Sequence, residues 1–373
     1  MNAIRRSTVA ALAATALLAG CSSSAPSALP PPYQHPGPDA VGVATVDLGS
    51  AGPTFGERFA TVYYPADQKS LSGHTRFSYT EASTLPAALQ GILPARYNTT
   101  TVVDAYADPP ASTKGPYPVV LFSHGYGGER LYYSTLLTGI ASWGFVVVSA
   151  DYYERGLAAQ ALGTKTKPTA AFDSNVMASS LAAVERASSD PTSVLHGAAN
   201  PNEVAAVGHS AGGGTAFDAL DGPRVATAIG WAPVGPVGTP SKKPVMLIGA
   251  QGDDVVPPAS VMHTYASFAG PKSLIEISGE GHNTYTDICT GIRSGGGLIS
   301  YAVASHLVSP TLAKFGINGC QKSGLPPQQF WPVVQFYTVL QLKNQFGGSG
   351  AAAIPEPSAG EFPGVTVTVQ QAT

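Results

Sequence analysis

Val204-Ala205-Ala206-Val207-Gly208-His209-Ser210-Ala211-Gly212-Gly213-Gly214 is the stretch on which the fold turns. A run of β-branched and small apolar residues ends on a Gly-x-Ser-x-Gly pentapeptide, and a helix-compatible stretch, Ala211 to Leu220, follows at once. This arrangement puts Ser210 on a sharp turn between a buried strand and a helix. Glycines at 208 and 212 remove the side chains that would clash in such a turn. The amides that open the next helix point toward the serine hydroxyl, where negative charge develops if Ser210 attacks a carbonyl. The pentapeptide alone is a modest signal; the strand before it and the helix after it give it weight.

Outward from this turn, short apolar runs alternate with helical stretches. Val119 to Phe122, Val146 to Ser149, Val204 to Val207, Ala226 to Trp231, Val245 to Ile248 and Leu274 to Ile277 read as strands. Tyr132 to Trp143, Asn175 to Ser188, Ala211 to Leu220 and Ala259 to Phe268 read as the helices between them. The rhythm predicts an α/β class with a mainly parallel central sheet and helices on both faces. Val41 to Leu48 and Arg58 to Tyr64 are expected as two antiparallel strands at the edge of that sheet, and Gln328 to Phe346 as a closing helix. Ala66 to Gly115 carries only short helical possibilities and is expected in the wall or rim of a cleft. Beyond Gly347 the chain is rich in Gly, Ala and Pro, with Val365 to Val369 alternating like a short edge strand.

Further positions supply what a nucleophilic serine needs. Ser123-His124-Gly125-Tyr126-Gly127-Gly128 ends a strong apolar strand upstream of the elbow. The backbone N–H groups of Tyr126 and Ala211 are the two expected donors to an oxyanion, which makes Tyr126 a substrate contact as well. Asp253 and Asp254 follow the Val245 to Ile248 strand, whereas Asp218 and Asp221 lie within or just past the helix after the elbow. Of the eight histidines, His282 lies in the loop straight after the strand ending at Ile277. His263 falls within a helix and His306 within an insertion, while His124 and His209, as motif neighbours, are expected in structural roles. No closely spaced His/Cys/Asp cluster has metal-ligand spacing, so the expected chemistry is acyl transfer without a metal.

The stretch Tyr117-Pro118-Val119-Val120-Leu121-Phe122-Ser123-His124-Gly125, with Ala141-Ser142-Trp143-Gly144-Phe145-Val146, the Gly208 to Gly213 elbow and the His282 loop, resembles one branch of the α/β-hydrolases. That branch is the platelet-activating-factor-acetylhydrolase-like and dienelactone-hydrolase-like group, with bacterial cutinases and polyester hydrolases close in pattern. The resemblance runs from Tyr33 to Phe346. It implies the α/β-hydrolase fold, whose chain order is Ser, Asp, His, and serine-dependent hydrolysis of short-acyl, lipid or polyester bonds with no cofactor. It favours Asp253 as the acid, because similar hydrolases carry theirs four positions before a proline such as Pro257; Asp254 is then a loop carboxylate, with the reverse assignment open. Trp231 matches the offset from the acid at which polyester hydrolases carry a Trp beside the acyl site. It is expected either to stack on a substrate or to fill the core. Two features depart from the polyester hydrolases: Ala211 stands where a Met or larger residue is common, and Ser123-His124-Gly125 replaces a Pro-Gly start to the oxyanion turn. A peptidase or amidase of the same fold, a lidded lipase and a non-catalytic envelope protein on a hydrolase scaffold are the rival readings. Against them stand, in turn, the lack of a large accessory domain, the modest apolarity of Ala66 to Gly115, and the complete Ser, Asp and His set.

The beginning of the chain reads as an address. Arg5-Arg6, the apolar Val9 to Ala19 and Leu18-Ala19-Gly20-Cys21 resemble the leader and lipobox of bacterial lipoproteins. This implies a leader over 1–20, a diacylated Cys21, a Ser/Pro-rich tether over 21–40, a catalytic domain over 41–346 and a tail over 347–373. The expected location is the cell envelope, through a lipid anchor in the membrane, or full secretion if the leader is cut elsewhere. Cys289 and Cys320 are the other two cysteines, and lone thiols in an exported protein tend to pair, so a disulfide is expected. Hydrophobic residues make up 44% of the 373-residue chain and charged residues 12%, as a globular core requires. A net charge of -3 without a basic cluster beyond Arg5-Arg6 argues against nucleic acid, and the hydrolase resemblance implies a small-molecule, lipid or polymeric ester as the expected partner.

Overall fold

The computed structural model describes residues 32–164, 167–347, 353–358 and 360–373. The leader and the Cys21 lipidation site lie outside the described residues. Eleven strands join one sheet: β1 (Val41–Ser50), β2 (Glu57–Pro65), β3 (Arg76–Thr80), β4 (Thr100–Ala107), β5 (Tyr117–Ser123), β6 (Val146–Ala150), β7 (Ala199–His209), β8 (Val225–Trp231), β9 (Val245–Ala250), β10 (Lys272–Ile277) and β11 (Val367–Ala372). Their order across the sheet is 11-10-9-8-7-5-6-2-1-4-3. From β6 through β5, β7, β8 and β9 to β10, neighbouring strands are parallel. The helices are α1 (Ser134–Ala141), α2 (Leu157–Leu162), α3 (Ala170–Ser189), α4 (Ala211–Asp218), α5 (Pro258–Ser267), α6 (Ile288–Ser294), α7 (Gly297–Ala304), α8 (Pro310–Ile317) and α9 (Pro327–Phe346).

The central strands read as unbroken apolar runs because both of their faces are covered. In β5, Val120 and Phe122 pack with Leu137 and Ile140 of α1 and Phe330 and Val333 of α9. Val119 and Leu121 point the other way, toward Val184 of α3 and Phe217 of α4. Successive side chains of a strand alternate between faces, so one strand feeds two cores. Each such side chain contributes about 1.5–3 kcal/mol on leaving water. The mainly parallel sheet with helices on both faces is the α/β class expected from the sequence.

Two expectations about the periphery need correction. β1 and β2 are antiparallel to one another but do not form the sheet edge, because β4 pairs with β1 and β3 with β4. Both outer strands come from the Ala66 to Gly115 segment. Their residues alternate weakly, with only two of the eight in β4 buried, and so carry little strand signal. The remainder of that segment does reach a cavity rim, through Ser83, Thr84, Leu85 and Pro86. Nor does the body begin at Val41. Gln335 Nε2 donates to the main-chain oxygens of Tyr33 and His35, and Trp143 Nε1 donates to that of His35, so the end of the supposed tether is docked and the compact unit starts at Tyr33. At the far end, β11 pairs antiparallel with β10 from Ile277↔Val367 to Lys272↔Ala372, so the tail beyond Gly347 ends as an edge strand.

Candidate active site

Strands β5, β7, β9 and β10 all bring their carboxyl ends to one end of the sheet, and the candidate residues lie in the loops just beyond them. Ser210 follows β7 at once and adopts φ 57°, ψ −122°, a conformation that a side-chain-bearing residue holds only when its surroundings enforce it. They do so here. Ser210 N–H donates to Trp231 O at 2.9 Å, and Ser210 O accepts from the N–H groups of Gly213 and Val234 at 2.9 and 3.0 Å. A Cβ on Gly208 would overlap the Gly212 carbonyl, and one on Gly212 would overlap the Ser123 carbonyl, so only glycine fits at either position.

Asp253 and His282 meet in front of this elbow. His282 Nδ1 and Asp253 Oδ2 are 2.7 Å apart, and both side chains are buried. The other carboxylate oxygen, Oδ1, accepts from the N–H groups of Val255 and Val256, each at 2.8 Å, which fixes the carboxylate plane. With Nδ1–H committed to Asp253, the Nε2 atom of His282 carries no hydrogen bond among the described residues, and neither does Ser210 Oγ. Asp254 points elsewhere: its side chain is 57% exposed and pairs with Lys314 at 3.4 Å. The geometry therefore brings Asp253, not Asp254, to His282. His263 and His306 are exposed and take no part.

The Ser123 to Gly128 turn lies beside the elbow because Ser123 pairs with Gly208 in the β5–β7 ladder. Neither Tyr126 N–H nor Ala211 N–H donates to an acceptor among the described residues. The turn is held on both sides by Arg155, which is 2% exposed. Its Nε and Nη2 donate to His124 O, Nη2 also donates to Ser123 Oγ at 2.6 Å, and its own carbonyl accepts from Gly127 N–H at 2.8 Å. Arg155 further pairs with Asp173 of α3, which burial holds above the usual carboxylate range against the lowering effect of the guanidinium. Nothing in the sequence singles out Arg155.

His124 and His209 are structural. His124 donates from Nδ1 to Gly125 O and accepts from Tyr152 N–H at Nε2, and burial beside Arg155 pulls its pKa down to about 3. His209 is pushed well below the ordinary histidine value by burial and by the neighbouring His282. Trp231, expected either at the acyl site or in the core, is a core residue. Its ring is fully buried against Phe122 and Tyr285, and Nε1 donates to Thr338 of α9 at 3.1 Å. Trp231 shares the β8 face of Ile229, which packs toward α9. Tyr126 is 61% exposed and its hydroxyl accepts from Gln160.

A cavity of about 100 Å³ adjoins the turn, with His124, Gly128, Tyr152, Phe55, Leu85 and Leu157 among its lining residues. A wider groove of about 570 Å³ lies at the amino ends of β5 and β6, one strand length from Ser210. The Cys289–Cys320 disulfide is formed. No group of three or more His, Cys, Asp or Glu among the described residues is placed to hold a metal, and none of their helices is long and apolar enough to cross a membrane.

Comparison with known proteins bears on the fold and on the segment that carries the elbow. The family model described as Chlorophyllase matches residues 107–243, which hold the Ser123 to Gly128 turn and the Ser210 elbow. A ferulic acid esterase from Streptomyces cinnamoneus, solved at 2.4 Å, superposes with a TM-score of 0.63 over 88% of this chain and 95% of that one, at 19% identity.

Proposed function

From a chain with the α/β-hydrolase fold and a segment matched by an esterase-type family model, we propose an exported, lipid-anchored serine esterase that cleaves carboxylic esters through an acyl-enzyme. The observation that carries this reading is the Asp253–His282 hydrogen bond in front of a strained Ser210. His282 Nε2 takes the proton of Ser210 Oγ as that oxygen attacks the ester carbonyl. The Tyr126 and Ala211 amides hold the developing oxyanion, and losing one such donor costs roughly 3–4 kcal/mol of transition-state stabilisation. Asp253 keeps the imidazole in the Nδ1–H tautomer and stabilises its charged form. The proton on Nε2 then goes to the departing alkoxide. Water, deprotonated by His282, releases the acid from Ser210 in the second half of the cycle.

Every group these steps use belongs to the chain. Short-acyl, lipid and polyester substrates all present the same carbonyl to this machinery, and the cavity beside the oxyanion turn mixes apolar walls, from Phe55, Leu85 and Leu157, with the charged Glu129, Arg130 and Asp151. The lipobox-like Leu18-Ala19-Gly20-Cys21 supports the anchor. The test is a panel of p-nitrophenyl esters of increasing acyl length, run on detergent-solubilised full chain alongside fluorophosphonate labelling. Turnover with label on Ser210 supports the proposal; label elsewhere, or no turnover of any ester, removes it.

A further inference from the structure

The segment between the base loop and α9 has no counterpart in the mechanism above, yet it is stitched to both loops that carry the acid and the base. One buried side chain does most of this. Asn318, just after α8, accepts at Oδ1 from the backbone N–H of His282 at 2.6 Å and of Asp254 at 3.4 Å. It donates from Nδ2 to Gly252 O at 3.3 Å. Gly252 and Asp254 flank Asp253, so a single carboxamide spans the acid loop and the base residue. The main chain adds to this grip. Asn318 O accepts from Asn283 N–H at 2.9 Å, and Thr284 Oγ1 donates to Gly319 O at 3.2 Å. There is no room for a Cβ between Gly281 and Gly319. Two residues on, Cys320 is bonded to Cys289 of α6.

We infer that Asn318 is a positioning residue for the Asp253–His282 pair and that the Cys289–Cys320 disulfide is the fastener that keeps it seated, an inference resting on the serine-esterase reading. The physical reason is the cost of misplacement. A carboxylate and an imidazole from separate loops must hold a hydrogen-bond geometry through every turnover, and the main chain joins the two loops by Gly252 N–H donating to Glu280 O at 2.8 Å. An amide that satisfies a donor on one loop and both a donor and an acceptor on the other restrains their relative motion further. The disulfide ties the segment to α6 and so keeps it from lifting off. Reduction of Cys289–Cys320 would therefore lower turnover before it unfolds the chain.

The test uses full-length Asn318→Ala, Asn318→Asp and the double variant Cys289→Ala/Cys320→Ala. Two readouts are taken: ester kinetics, and the low-field proton resonance of His282 Nδ1–H, which reports the bond to Asp253 without any substrate. Misplacement of reacting groups by a fraction of an ångström to an ångström costs up to about 100-fold, so Asn318→Ala is expected to lose roughly 10- to 100-fold in kcat with KM changed less than about threefold. Its Nδ1–H resonance should broaden or exchange away. Asn318→Asp keeps the acceptor and loses the donor to Gly252 O, so its kcat should fall between the two. The double cysteine variant should move both readouts in the same direction. Parental kcat and an unmoved resonance in Asn318→Ala would overturn the inference. If Asn318→Ala does not fold, parental kcat in Asn318→Asp would do the same. A parent that turns over no ester but shows the resonance, lost in Asn318→Ala, would strike the esterase reading and leave the brace standing.

Discussion

His209 donates from Nε2 to the main-chain oxygen of His282 across 2.9 Å, while the Tyr133 hydroxyl donates to Nδ1 of the same ring across 2.8 Å. Tyr133 in turn accepts from Gly125 N–H at 3.4 Å. A buried, neutral imidazole thus ties the base loop to the start of the oxyanion turn. His209→Ala would leave the Tyr133 O–H without its acceptor and take the imidazole donor away from the His282 carbonyl. It should lower stability by about 2–4 kcal/mol, read as a lower urea midpoint at unchanged slope. Tyr133→Phe, which removes one partner only, should cost less.

The acid assignment is tested by a contrast. Asp253→Asn mis-sets the imidazole tautomer and should lower kcat on the order of 10⁴-fold, whereas Asp254→Asn breaks only an exposed pair with Lys314 and should change kcat less than about threefold. If Asp254→Asn proves the costly change, the acid is misassigned while the fold stands.

Two buried carboxylic acids set a pH dependence of stability. Burial pushes Glu81 up to about 7 and Asp287 up to about 7, both near the start of α1. Their folded values lie above the unfolded ones, so their contribution is full below pH 4 and is lost as pH rises through 7. The loss should be on the order of 3 kcal/mol for each group. Thermal unfolding should therefore show a falling melting temperature from pH 5 to pH 8, with a shallower slope in Glu81→Gln. A slope unchanged by that substitution would contradict the assignment.

How much of this was legible in the sequence depends on how local each signal is. The strand-to-helix turn that carries Ser210 was readable because strand, glycines and helix are contiguous. His282 was readable because a loop after the last core strand is a position that local pattern reveals. β3 and β4 were missed since their half-exposed residues, such as Val102 at 64% exposure, break the apolar alternation that marks a strand. Trp231 stayed ambiguous because an offset along the chain does not say which face of β8 its ring takes, and that face is set by α9, whose Thr338 lies 107 residues away. Asn318 left no trace for a similar reason: its partners at His282 and Gly252 lie 36 and 66 residues away, and only the folded chain brings them to one amide.

Location has its own test, motivated by Leu18-Ala19-Gly20-Cys21 after a basic, apolar leader. Cys21→Ser should abolish labelled-palmitate incorporation and shift the protein out of the membrane fraction. A parent that takes up no label, or a Cys21→Ser protein that stays membrane-bound, would remove the lipid anchor from the account.

The central claim is that Ser210 is the nucleophile, and the measurement that reaches it most directly is ester turnover by Ser210→Ala alongside its melting temperature. The hydroxyl makes no hydrogen bond among the described residues, so its loss should leave the fold intact and the melting temperature nearly unchanged. Turnover should fall by roughly 10⁵- to 10⁶-fold, toward what the oxyanion amides and substrate binding alone sustain, and His282→Ala should fall about as far because the two act as one unit. Near-parental turnover by folded Ser210→Ala, in a sample free of contaminating hydrolases, would contradict the account at its root.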